Sequence, residues 1–455
     1  MYTQEPNFWQ RNRVTFKGIS VGILILVLLI PTSFIHGLIM ERKDRQAEVT
    51  AEVSSKWAGP QTLSGPFIVI PFMEDVKDNT GKLVAVRHLM YYLPEHLSIE
   101  GDVAPEIRSR SIYKVVLYKA AITIRGNFPA DRFAEAGIDT SKLLFNEAQL
   151  CFGLSDNRGI DDQLSINWYG TQKSFNAGVP KNALVNSGVS LPVALAGIDK
   201  TKSLSFSIDL KLKGSEYLFF TPLGKQTVVR LKSPWTNPSF EGRFLPSAKT
   251  VNEKGFLADW KILHFNREFP QVWIDTEVEL ANSSFGLNLL QPNDAYGKSL
   301  RAVKYAILFI ALTFCLYFFL ELFQKRSVHP MQYILVGLAL CVFYTLLLSV
   351  SEYLNFNISY GIAATATVLL IAFYTKSVFA KWSIGLLFGT FLGLLYSFIF
   401  ILIQLQDGAL LFGSIGLFIL LAVVMYYSRK IDWNYALVKS NMPGVAKDDI
   451  LVSEI

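Results

Sequence analysis

Cysteine is almost absent from this sequence. Only Cys151, Cys315 and Cys341 occur in 455 residues. No CxxC pair exists, so neither a disulfide framework nor a thiolate metal site is available, and whatever folds must stand on its apolar core. Histidine is nearly as scarce. His36, His88, His96, His264 and His329 show no ligand-pair spacing on one helix face, so the sequence offers no metal centre and implies no cofactor. Blocks of like charge are missing too: a net charge of +6 is spread along the chain, which gives no support to a nucleic-acid partner. Two short motifs fail on context. Gly18, Ser20 and Gly22 match the G-x-S-x-G nucleophile elbow but begin an apolar helix instead of joining a strand to a helix. Gly297-Lys298-Ser299 resembles the end of a phosphate-binding loop, yet Pro292 stands where its first glycine is needed. With no catalytic constellation, the residues read as a non-enzymatic protein.

Apolar residues are abundant, at 51% of the chain, while 18% are charged, a mixture that suits a membrane protein with a large soluble part. Six runs, 18–40, 302–323, 332–350, 358–374, 383–403 and 408–427, approach or exceed the roughly 20 residues needed to cross a bilayer. The first follows Arg11, Arg13 and Lys17 and so looks like a signal peptide. Its length, Pro31, His36 and lack of a small-x-small cleavage site favour an uncleaved anchor. Lys325 and Arg326, Lys376 and Lys381, and Arg429 and Lys430 fall in alternate short loops, whereas 351–357 and 404–407 carry no basic residue. That bias predicts both termini in the cytoplasm and the segment after the first span in the periplasm.

Between the first and second spans the periodicity changes. Residues 41–55 are charged and helix-prone up to Trp57-Ala58-Gly59-Pro60, and then short β-branched and aromatic runs such as 66–71, 113–124, 204–212 and 227–231 alternate with Pro, Gly and Asn. The expectation is a sandwich-like β domain over 59–292, with one short helix at 129–142 and, at 175–203, loop or surface that could divide two related β layers. The predicted fold class is an α-helical polytopic membrane protein with six transmembrane helices and a large mostly-β periplasmic domain inserted between helices 1 and 2. Its expected divisions are a cytoplasmic N-terminus (1–17), the first helix (18–40), the periplasmic domain (41–301), a five-helix bundle (302–427) and a cytoplasmic tail (428–455).

Polar residues inside the spans are the candidate functional positions. Thr313, Tyr317 and Glu321 recur on one face of the second span, and Thr345, Ser349 and Glu352 on one face of the third. Facing lipid costs free energy, so both stripes are expected to point into the bundle or a wet cavity. Glu321 is expected to pair with Lys325 and Arg326 at an exposed interface. Glu352, with no basic neighbour in its loop, is expected to meet Lys298, Arg301 or Lys304, and so to be the more sensitive of the two. His329, Pro330, Gln332 and Tyr333 read as the start of the third span, with proline where no N–H is needed. Gly385, Gly389 and Gly393 form overlapping G-x-x-x-G units, read either as packing within the bundle or as a dimer face. Oligomerisation stays open.

Several of these stretches resemble the CreD family of bacterial inner-membrane proteins. They are KYAILFIALTFCLYFFLE (304–321), HPMQYILVGLALCVFYTLLLSVSE (329–352), SYGIAATATVLLIAFY (359–374), PLGKQT (222–227) and SPWTNPSFEGRFLP (233–246). The resemblance implies a cell-envelope integrity protein of a family linked to envelope stress, colicin tolerance and the β-lactam response. It implies no known reaction, and it suggests that the His329 corner is functional. Three readings follow. The first is a non-enzymatic bundle holding a periplasmic β domain that binds an envelope protein or a lipid-like ligand. The second is a lipid-handling or transport device using the polar stripes, and the third a membrane enzyme using Glu321 or Glu352.

Overall fold

The computed structural model describes residues 13–77, 82–130, 132–133, 139–181, 184–197, 202–275, 278–289, 295–324, 326–405 and 408–429. The chain divides into two compact units, one made of 1–45 with 293–455 and the other of 46–292.

In the first unit, helix α1 (Arg13–Trp57) is 45 residues long and runs through Pro31 without ending. A ten-residue helix α2 (Ala295–Lys304) precedes α3 (Ala306–Gln324), α4 (Pro330–Ser351), α5 (Phe356–Phe379), α6 (Trp382–Gln404) and α7 (Ala409–Ser428). Six of these helices, all but α2, are long and apolar enough to cross a membrane. The apolar run starting at Ala302 is therefore two elements: the chain turns at Tyr305, and the spanning helix begins at Ala306. Local chemistry sets several ends. Asn355 caps α5 by accepting the N–H of Ile358 at 3.0 Å, and Ala380 ends α5 in the left-handed region at φ 55°.

The second unit is mostly β. One nine-stranded sheet runs in the order β13 (Pro238–Gly242), β17 (Phe285–Leu289), β11 (Tyr217–Phe220), β1 (Gln61–Lys77), β5 (Gln149–Leu154), β9 (Gly188–Pro192) and β8 (Asn176–Ala177). Two further strands extend it, β2 (Leu83–Tyr92) on β1 and β16 (Val272–Ile274) on β2. An eight-stranded sheet runs β14 (Ala248–Asn252), β15 (Gly255–Leu263), β12 (Gln226–Ser233), β3 (His96–Arg110), β4 (Tyr113–Pro129), β10 (Ser203–Ser215), β6 (Ser165–Trp168) and β7 (Thr171–Ser174). Pairing is antiparallel except for β1 with β11 and β12 with β3. Alternating patterns such as that of β12 put one face inward, whereas 63–72 of β1 are buried throughout. Aromatic pairs cross between the sheets and make one core: Tyr92 with Phe128 (5.8 Å between centroids), Phe240 with Trp260 (5.6 Å) and Trp260 with Phe285 (5.7 Å).

Two local expectations change. The stretch 175–203 is not only loop: β8 and β9 lie in it, Val189 and Leu191 are buried, and here the chain leaves the eight-stranded sheet for the nine-stranded one. Within 129–142 the described residues hold 3₁₀ turns, at 132–133 and Thr140–Lys142, with the rest of the expected helix outside the described residues.

Candidate functional site

The candidate residues of the membrane unit gather at the two ends of α4. At its start, His329 is the N-cap: its Nδ1 accepts the N–H of Met331 (3.2 Å), and Gln332 Oε1 accepts the N–H of His329 (3.1 Å). Pro330 occupies the first turn, where a missing N–H costs nothing. This reciprocal cap fixes the corner after α3 and aims it at Glu321. Val328 donates its N–H to Glu321 Oε1 (3.1 Å) and Tyr333 its hydroxyl to Oε2 (3.0 Å).

The cation completing this cluster comes from the far end of the sequence. Lys17 of α1 pairs with Glu321 Oε1 and donates to the carbonyl of Val328 at 2.8 Å and to Ser327 Oγ at 3.4 Å. The expected pairing of Glu321 with its neighbours is thus corrected. The chain leaves the helix after Gln324, which carries Arg326 away exposed, while Lys325 lies outside the described residues. Nor is Glu321 exposed, at 7%. Tyr333 packs against Phe314 and Tyr317, and Tyr317 in turn meets Phe379 of α5 and Phe388 of α6, so two more helices wall the site. A carboxylate there is tolerable because an ammonium, an amide and a phenol all face it.

At the other end, Glu352 caps α4 and lies 3.6 Å from Arg42 Nε of α1. None of the three expected cations pairs with it. Lys298 stands over the Phe356 ring (5.6 Å), and Arg301 and Lys304 line a recess elsewhere. The reason is that α1 stays helical well beyond its apolar run and brings Arg42 past the end of α4. Midway, Gly337 admits Leu28: a Cβ there would stand 3.0 Å from Phe314 Cζ and 3.2 Å from Leu28 Cδ2. Residues 17 to 42 span about 38 Å of helix, close to the thickness of a bilayer with part of its headgroup layers. The 17–42 part of the first helix is therefore held to its own bundle at both ends and in the middle.

The two polar stripes differ. Thr313, Tyr317 and Glu321 are all buried in the bundle. The other stripe does not face inward as expected: Ser349 is exposed and Thr345 half-buried, its hydroxyl satisfied by the Val342 carbonyl at 2.9 Å. Among the glycines, a Cβ at Gly385 would stand 2.7 Å from Lys376 Cβ and one at Gly389 3.1 Å from Ala372 Cβ, both on α5. Gly393 has open space.

The β unit carries a feature that the sequence reading missed. Beyond Phe72 and His88, β1 and β2 pair only with each other among the described strands, from Met73↔Arg87 to Lys77↔Leu83. Met73, Val76, Leu83, Val84 and Val86 are exposed on this ribbon. Its base is held by Arg87 to Glu147 (2.8 Å), by His88 to Asp275, and by the N–H of Leu89 to Asp275 Oδ1 (2.8 Å). The valines Val76, Val84 and Val86, set close to Glu74, Asp75, Lys77 and Arg87 on either side of the polar sequence Asp78-Asn79-Thr80-Gly81, were the available signal.

Elsewhere in this unit, Asp156 accepts the N–H groups of Gly59 (2.9 Å) and Arg158 (3.0 Å) and pairs with the Arg158 guanidinium, which holds its carboxyl down at about 2. Arg158 also reaches the Ser55 carbonyl. Burial pushes the Cys151 thiol up to about 12, so it behaves as an inert core residue. Among the described residues no group of three His, Cys, Asp or Glu could hold a metal ion.

The profile of the family described as "Inner membrane protein CreD" matches residues 13–434. The chain is 32% identical over 437 residues to the Inner membrane protein CreD of Escherichia coli (strain K12), covering 94% of each. With six spanning helices, a mostly-β insertion after the first and that match along nearly its whole length, this chain belongs to the CreD family of inner-membrane proteins.

Proposed function

We propose that this chain is a non-catalytic inner-membrane protein supporting cell-envelope integrity and the envelope-stress response, whose β domain lies in the periplasm and binds another envelope component. The observation that carries the reading is the β1–β2 ribbon. Two strand edges that are unpaired among the described residues and carry exposed valines can accept an extended segment through backbone hydrogen bonds, the mode by which sheet edges recognise peptides. The basic residues in alternate short loops support cytoplasmic termini, with the divisions at 17, 40, 301 and 427. The clamp from Lys17 and Arg42 supports a bundle that holds the first helix, from which the β domain follows, in one position.

A photo-reactive residue at Val84 in the full-length protein, irradiated in cells, should yield a discrete adduct with an envelope protein. The same residue at exposed Asp209 should not. Equal labelling at both positions, or lipid adducts alone, would refute a ribbon-borne protein site.

The second reading, lipid handling or transport, draws on a different observation. The hydroxyls of Thr313 and Tyr344 are buried inside the bundle without a hydrogen-bond partner among the described residues. Such groups are costly in lipid unless a polar guest visits them. Uptake of a fluorescent lipid or solute by vesicles containing the protein, lost in Thr313→Val, would favour this alternative.

A further inference from the structure

Between α1 and α2, on the Glu352 side of the membrane unit, lies a lateral recess of about 520 Å³. Leu29, Thr32, Ser33 and His36 form one wall and Leu300, Arg301, Val303 and Lys304 the other. Arg301 and Lys304 have no carboxylate partner among the described residues, and the half-buried Arg301 keeps its Nε covered with no hydrogen-bond partner. Two cations aimed at an open recess without a counter-charge are an electrostatic cost unless an anion enters.

The depth of the recess identifies the anion. His36 stands six residues inward of Arg42, about 9 Å along the helix, and 19 residues from Lys17, about 28 Å. The cations therefore sit near the edge of the hydrocarbon layer, where phospholipid phosphates lie. Leu29, Leu300 and Val303 supply an apolar floor, and exposed Ile30, Phe34 and Ile307 continue it along the lipid-facing surface. A cationic rim over an apolar wall fits a phosphate attached to acyl chains better than a free ion.

We infer that this recess is a binding site for the phosphate of an anionic phospholipid, held by Arg301 and Lys304 with the Ser33 hydroxyl and His36 beside it. Basic pockets between transmembrane helices take lipid headgroups by this chemistry.

The test uses the full-length protein in nanodiscs of phosphatidylglycerol or phosphatidylcholine, followed by native mass spectrometry during delipidation. One phosphatidylglycerol should persist per chain when phosphatidylcholine is gone. Each cation near a membrane surface is worth about fivefold in affinity, so Arg301→Gln with Lys304→Gln should weaken retention by about 25-fold. Arg301→Lys with Lys304→Arg should retain the lipid. Should the Gln variant fail to fold, Ser33→Trp fills the recess from the exposed wall without removing a charge and should expel the lipid too. Millimolar inorganic phosphate should not displace the lipid; displacement would assign the recess to a free phosphate. Equal retention of the two lipids, or of the wild type and both variants, would overturn the inference.

Discussion

Replacing Glu321 by Gln should damage this protein more than replacing Glu352 by Gln, the reverse of the order expected from their neighbours in sequence. The Lys17–Glu321 pair is shielded, with side-chain exposures of 21% and 8%. Removing one partner of a buried pair costs about 3–5 kcal/mol, because the other charge is stranded. Lys17 keeps the Val328 carbonyl and Ser327, and a glutamine can keep at least one of the bonds from Val328 and Tyr333, which lowers the expected cost to about 2–3 kcal/mol. The Arg42–Glu352 pair has its cation 42% exposed at 3.6 Å, a geometry worth about 0–1 kcal/mol. Thermal unfolding of the detergent-purified protein measures the order. A cycle with Lys17→Met, Glu321→Gln and the double variant should return a coupling of about 2 kcal/mol, since removing both charges strands neither. Equal losses at Glu321 and Glu352, or additive effects of Lys17→Met and Glu321→Gln, would refute the reasoning.

Gly337→Val should loosen the first helix, because the new side chain meets Leu28 and Phe314; a cost of about 1–3 kcal/mol and faster proteolysis of α1 in detergent are expected, with Leu28→Ala partly restoring the wild-type pattern. Asp156→Asn should destabilise the protein by about 1–2 kcal/mol at neutral pH, a range already reduced for the exposed Arg158. The Asp156 carboxyl is depressed from 3.8 to about 2, so its contribution is full above pH 3.8 and disappears as pH falls through 2. Unfolding curves at pH 7 and pH 4 should therefore show the same difference between the wild type and Asp156→Asn, and a smaller one at pH 3. Reporter fusions after Glu41, Glu352 and Asp407 should read as periplasmic and those after Arg326, Lys381 and Lys430 as cytoplasmic; a cytoplasmic reading after Glu41 would reverse the proposed orientation.

The six spans and the switch to β structure after Trp57 were legible from the sequence because both rest on local quantities: the length of an apolar run against the thickness of a bilayer, and a period that changes between neighbouring residues. The helix start at Pro330 was legible for the same reason, since it rests on residues next to one another, whereas the capping role of His329 was not read. What the sequence left undecided were contacts between distant residues. Lys17 and Glu321 are 304 positions apart, and no local pattern distinguishes the cation that reaches the carboxylate from a nearer one such as Arg326, which the chain carries away exposed. The two polar stripes looked alike by spacing. Yet one is buried and the other faces outward, because the direction of a helix face is set by the neighbours packed around it. Likewise, 66–71 read as an ordinary strand run, and only the ends of β5 and β16 leave the outer portions of β1 and β2 as a ribbon whose edges are unpaired among the described residues. Hydrophobicity and periodicity therefore determined the elements, and packing between residues far apart in sequence decided which charges pair, which hydroxyls are enclosed and which edges stay open.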